Sequence, residues 1–263
     1  MVFRRVVSAV ALPGVLAGAL VGCAPAPAAT PAAEWSEAPA AAPSRAAPQR
    51  RPVAAISYPA SGGGRFSAAG AEAGPQRAGG GQLLNYRVEI ESDIHGIAIG
   101  DFAGFVTDTL NDPRSWTAGG TRLRRVGPGQ PEDFTVYLVT PGTRDELCAD
   151  VPDGYTSCRN GGRVVLNVAR WVEGVPGYGA PLTAYRQYMV NHEVGHRLGN
   201  GHELCPGAGD PAPVMQQQTL GLHGCTPNPW PYPDRKHRYA GRSGAYNDPI
   251  PPREKGRGGS GVR

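Results

Sequence analysis

Charged residues are scarce in this chain of 263, at 18%, and aromatic residues scarcer still, at 7%. Basic charge does not gather on the body of the chain. The net charge is +4, but Arg4 and Arg5 lie at the N-terminus, and Asp234–Arg263 carries eight basic against three acidic side chains. What lies between is mildly acidic, so no nucleic-acid partner is expected. Lysine is nearly absent, two against 24 arginines, which reads as GC-rich codon usage rather than chemistry. Beyond the N-terminus no apolar run reaches the roughly 18 residues a membrane helix needs, which excludes a polytopic membrane protein. No two cysteines have Cys-x-x-Cys spacing, which argues against a four-cysteine zinc site.

Glycine and proline are abundant instead, at 38 and 27 residues. So many cannot all sit in packed elements, so one segment must be loop or linker. Residues 1–23 read as a lipoprotein signal peptide: Arg4 and Arg5, then an apolar stretch from Val6 to Leu20 too short to span a bilayer, then Leu20-Val21-Gly22-Cys23. That ending resembles a bacterial lipobox, which implies acylation of Cys23. Export to the outer face of the membrane with a lipid anchor there is the expectation, secretion the alternative. Residues 24–81 read as a linker, since 37 of the 58 are Ala, Pro or Gly and Trp35, Tyr58 and Phe66 are too few for a core. A coil of that length spans about 40–45 Å, enough for cell-wall contact. The domain is placed at 82–232, and residues 233–263 are read as a basic disordered tail.

Cys23 is the odd member of five cysteines. The other four, in an exported chain, point to disulfides. Of three pairings the sequential one, Cys148–Cys158 and Cys205–Cys225, is favoured, because each closes a loop rich in Gly, Pro, Asp and Asn.

Within the domain, Tyr86, Val88 and Ile90 alternate with polar residues, the period of a half-buried strand. Phe102, Phe105, Val106 and Leu110 recur at helical spacing until Asn111-Asp112-Pro113 stops them. Strands are predicted at Thr121–Val126, Phe134–Val139 and Val164–Val168, and a last helix from Thr183 to Leu198, between Pro181 and Gly199. An irregular Gly/Pro-rich end follows. The class is α+β.

The last helix carries His192-Glu193-Val194-Gly195-His196-Arg197-Leu198-Gly199-Asn200-Gly201-His202. His192 and His196 project from one face a turn apart, which is zinc-chelating geometry. Val190, Val194 and Leu198 occupy the opposite face and predict a core side and a wet metal side. Glu193 neighbours a ligand where a general base must sit. Gly199 permits a left-handed turn that ends the helix and brings His202 round as third ligand. Three imidazoles leave the fourth zinc position to water, the mark of a catalytic site. Chance occurrence of these five residues at this spacing is on the order of one in 10⁴–10⁵. His95, His223 and His237 read as surface or loop residues, and Tyr185 as packing.

His-Glu-x-x-His-x-x-Gly-x-x-His resembles the signature of the metzincin clan of zinc endopeptidases. The resemblance, over about Leu83–Tyr232, implies a twisted mixed β-sheet with an active-site helix and a small irregular C-terminal subdomain. It also implies a methionine turn beneath the metal, for which Pro213-Val214-Met215 is the candidate, and a substrate-pairing edge strand, assigned to Val164–Val168. No calcium-site motif is present, and no tyrosine closely follows Met215 to serve as a fifth ligand. Leader, Ala/Pro linker and C-terminal domain together resemble exported metallopeptidase-like lipoproteins of actinobacteria. The expectation is a monomeric exported zinc endopeptidase acting on peptide or protein substrates. Hydrolysis of peptidoglycan stem peptides and a catalytically silent metal-binding surface lipoprotein are the competing readings. The presence of Glu193, which a mere metal scaffold does not need, argues against the last.

Overall fold

The computed structural model describes residues 55–74 and 80–258. The leader, Cys23 and most of the Ala/Pro-rich stretch lie outside the described residues.

A mixed α+β fold is built on one twisted six-stranded sheet. Its centre is formed by β3 (Leu83–Glu91), β5 (Phe134–Val139) and β7 (Arg163–Asn167), paired in parallel. The strand β6 (Cys158–Asn160) closes one edge antiparallel to β7. At the other side β3 is shared by two partners. A parallel β4 (Arg122–Arg125) lies opposite Leu83–Tyr86, and an antiparallel β2 (Phe66–Ala68) lies opposite Glu89–Glu91. The half-buried alternation of β3 is borne out: Leu84, Tyr86, Val88 and Ile90 are buried. Phe134–Val139 is a central strand whose side chains are buried on both faces apart from Tyr137.

Helices α1 (Ile99–Asn111) and α4 (Leu182–Arg197) pack on one another, α1 against β3 and α4 against β7. Phe102, Val106 and Leu110 of α1 and Tyr185, Tyr188, Val190 and Val194 of α4 meet the sheet in one core. Trp171, from the short α3 (Val168–Glu173), receives Phe102 and Phe105 edge-on at 4.9 and 5.1 Å. A smaller apolar cluster collects Val139, Val165, Cys148 and Cys158 with Phe66, Tyr137 and Leu147. There α2 (Pro141–Cys148) contacts β6 and β7. No periodic signal marks α2 or α3, which are short and largely buried.

Two expectations are corrected. Residues 55–74, assigned to a linker, contribute β2 and β1 (Tyr58–Pro59), and Tyr58 is buried in the main core. Buried Glu91 accepts from the backbone N–H of Gly64 and from Thr140 and Thr143, which moors this segment to α2. Residues 234–258, assigned to a disordered tail, are likewise structured. The segment ends in β8 (Gly256–Arg257), antiparallel to β1. Just before it, Glu254 pairs with buried Arg170, and Arg253 with Asp145. Composition hid both segments because each is held by partners distant in sequence, whereas disorder was inferred from local periodicity.

The irregular C-terminal part, beyond α4, is held by side-chain amides in place of secondary structure. Buried Gln218 donates to the carbonyls of Pro213 and Asn228, and buried Asn228 to those of Ala212 and Trp230. Both sequential disulfides are formed. Cys148–Cys158 ties α2 to β6, and Cys205–Cys225 closes the loop that carries Met215.

Candidate metal centre

The helix α4 delivers His192, Glu193 and His196, and its end delivers His202. After Leu198 the backbone N–H of Gly199 bonds the carbonyl of His196, and that of Asn200 bonds the carbonyl of Gly195. This is a Schellman closure, and Gly199 supplies the positive φ it needs, +91°. The expected turn is therefore present, and it brings His202 back towards the helix.

The three imidazoles converge. Nε2 of His196 stands 3.1 Å from Nε2 of His192 and 3.1 Å from Nε2 of His202. Nitrogens each about 2.0–2.1 Å from one tetrahedral ion stand about 3.3 Å apart, so the spacing matches a shared metal. The tautomers agree with it. Nδ1 of His192 lies 2.8 Å from the carbonyl of Val214, and Nδ1 of His196 lies 2.9 Å from that of Asn200. A carbonyl only accepts, so both Nδ1 atoms carry the proton and both Nε2 atoms present bare lone pairs. Two lone pairs at that distance repel unless a cation lies between them. Burial lowers the pKa of all three rings, that of His202 to about 4, so they are neutral at pH 7. The cluster can hold a metal ion.

Glu193 is 5% exposed, and its Oε2 is buried with no hydrogen-bond partner. Burial raises its pKa to about 8, with Arg144 pulling the other way. An orphaned carboxylate oxygen beside a metal-binding cluster calls for a proton donor such as water, which fits the group the histidines imply. The expected wet face holds in part: His192 and Glu193 are buried, whereas His196 and His202 are half-buried, and all four line one cleft. That cleft encloses about 440 Å³ and is lined by all three histidines, Glu193, Tyr188 and Cys158 and Arg159 of β6.

Met215 is fully buried in a turn in which the N–H of Gln216 bonds the carbonyl of Pro213. The carbonyl accepting from His192 belongs to its neighbour Val214. A Cβ added at Gly195 would lie 2.4 Å from Sδ of Met215 and 2.6 Å from Cζ2 of Trp116. Met215 therefore packs against the helix backbone between the two helical histidines. Gly195 went unremarked in the sequence, although a glycine inside a helix is itself a sign of close approach. Tyr188 was also missed. Its ring packs 5.2 Å from that of His192, and its hydroxyl donates to the carbonyl of Gln216.

The residues set aside are elsewhere. His95 is exposed, His223 stacks on Tyr246 and pairs with Asp248, and His237 pairs with Asp234. Tyr185 is core, bonded to Thr219. Val164–Val168 is not the edge: β7 lies between β5 and β6, and the edge strand beside the cleft is β6. The three-residue β6 is too short to show a period.

A family described as a protein of unknown function (DUF3152) matches residues 53–233. The chain belongs to that family. Its match starts within the segment first assigned to the linker and takes in every histidine of the cluster, Glu193 and Met215, while residues 234–258 lie beyond it. No curated protein and no solved structure matches the chain.

Proposed function

We propose that this DUF3152 protein is an exported zinc endopeptidase of the metzincin type. The carrying observation is the convergence of three Nε2 atoms, two with their protons fixed on the far ring nitrogen, beside a buried carboxylate with one unpartnered oxygen. A mixed sheet whose antiparallel edge strand borders the cleft, and a methionine turn packed under the ligand helix, add support.

His192, His196 and His202 would hold the ion. Zinc there would supply Lewis acidity, polarising the scissile carbonyl and making water acidic enough to lose a proton near pH 7. Val214 and Asn200 fix the tautomers by accepting from Nδ1 of His192 and His196. Burial favours the neutral carboxyl, but the charge of a bound ion would favour the carboxylate, and in that form Glu193 takes the proton of the attacking water on its free oxygen and returns it to the leaving amine. Backbone groups at the free edge of β6 pair with the extended substrate. A lipid on Cys23 would hold the enzyme at the outer face of the membrane.

The test compares wild type, Glu193→Ala and His202→Ala for zinc content, melting temperature and cleavage of an unbiased peptide mixture. Glu193→Ala is expected to keep one zinc per chain and lose about 10⁴ in rate, since one carboxylate serves both proton transfers. His202→Ala is expected to lose tight zinc binding. Equal cleavage by wild type and Glu193→Ala, or stoichiometric zinc retained by His202→Ala, would overturn the mechanism.

A further inference from the structure

Two large hydrophobic side chains stand exposed among the described residues, Val151 at 80% and Ile250 at 47%. They are far apart in sequence, yet both line the cleft that holds the three histidines and Glu193. Single exposed aliphatics are ordinary on a protein surface. Their coincidence in one cleft, where Leu220 also contributes, gives it an apolar wall.

Both residues are held in place. Val151 lies in the loop between α2 and β6, next to Asp150. Arg144, itself 1% exposed, grips Asp150 through two guanidinium nitrogens at 2.9 Å each. Ile250 lies on the C-terminal segment, which is pinned on both sides of it. On one side Asp248 pairs with His223 at 2.8 Å. On the other, Arg253 pairs with Asp145 and Glu254 with Arg170. Pro249, Pro251 and Pro252 flank Ile250 and restrict its backbone. Neither loop therefore needs to be ordered when a ligand arrives, which favours binding. Of the charged side chains that line the cleft, Asp150 and Asp153 are engaged by Arg144, while Arg159 stands on β6.

We propose that Val151 and Ile250 form an apolar subsite that takes an aliphatic or aromatic side chain of a peptide lying along β6. The subsite deepens, and rests on, the peptidase reading above. Val151 lies within the family match and Ile250 beyond it, so the C-terminal segment supplies only the Ile250 part of this wall.

Val151→Asp and Ile250→Asp, both at exposed positions, are compared with the conservative Val151→Ile and Ile250→Val in the zinc-loaded full chain. Wild type is expected to cleave a peptide mixture with an aliphatic or aromatic residue at one fixed position from the scissile bond. Each aspartate variant should lower kcat/KM for such peptides by about tenfold or more. The conservative variants should keep the preference, and all four should keep zinc and melting temperature. No positional preference in wild type, or an unchanged one in both aspartate variants, overturns the subsite. Fluorescence anisotropy of two labelled peptides differing only by Leu or Asn reads binding without hydrolysis. Selective binding of the Leu peptide that is lost in Ile250→Asp supports the subsite even if nothing is cleaved, in which case the peptidase reading alone fails. Equal or undetectable binding of both peptides to wild type, together with absent cleavage, overturns it.

Discussion

Replacing Gly195 by alanine should destabilise the protein and weaken its metal site, although helix propensity alone says the reverse. In the interior of a helix, alanine is better than glycine by about 0.8–1.0 kcal/mol. Here the added Cβ would lie 2.4 Å from Sδ of Met215 and 2.6 Å from Cζ2 of Trp116. Methionine is flexible, but Met215 is fully buried and its turn is tied to His192 through Val214. Trp116 cannot swing aside, because its indole N–H donates to the carbonyl of Asn191 at 2.9 Å. Overpacking of a fitted core costs about 1–3 kcal/mol, and two contacts this short place the cost near the top of that range. Less the propensity gain, the net is about 2 kcal/mol, or roughly 4–8 °C of melting temperature in a domain of this size. Since His192 and His196 flank Gly195 on the same helix, zinc affinity should fall as well. Thermal melting with and without chelator, with zinc titrated by a competing dye, reads both effects. A Gly195→Ala protein that melts higher than wild type and binds zinc equally would refute the close packing of Met215 and Trp116 on this helix.

Without metal, the domain should lose stability as pH falls from about 6.5 towards 4. Burial holds the three histidines below their unfolded value of about 6.5, His202 at about 4, so the unfolded chain binds more protons throughout that window. Glu193, raised to about 8 by burial, opposes one of the three, so melting temperatures of chelator-treated protein should fall modestly with acidification, and a flat or rising profile would refute the neutral-histidine cluster. The resemblance of Leu20-Val21-Gly22-Cys23 to a lipobox predicts that mature protein partitions into detergent and that Cys23→Ser releases or mislocalises it; unchanged membrane association of that variant would sink the anchor.

What the sequence by itself determined was whatever rests on short-range spacing. The period of two over Tyr86–Ile90, the β-prone run Phe134–Val139 and the helix ended by Gly199 are properties of consecutive residues, and each element stands where the spacing put it. The convergence of His192, His196 and His202 was legible for the same reason, since one helix and one left-handed turn connect them. The sequential disulfides, favoured among three pairings because each closes a turn-rich loop, are the ones formed. Only the tertiary structure decided the rest. The glycine-rich approach and the basic end carry no period of their own, and they become β1, β2 and β8 only because Glu91, Asp145 and Arg170, far off in sequence, supply their partners. The edge of the sheet depends on strand order, which spacing along one chain does not encode, so the edge strand proved to be β6 rather than β7. Gly195 and Met215 meet because a turn after the helix folds back under it, and Val151 and Ile250 line one cleft because two distant loops border it. Contacts between residues remote in sequence are settled by packing, and packing is a property of the folded chain alone.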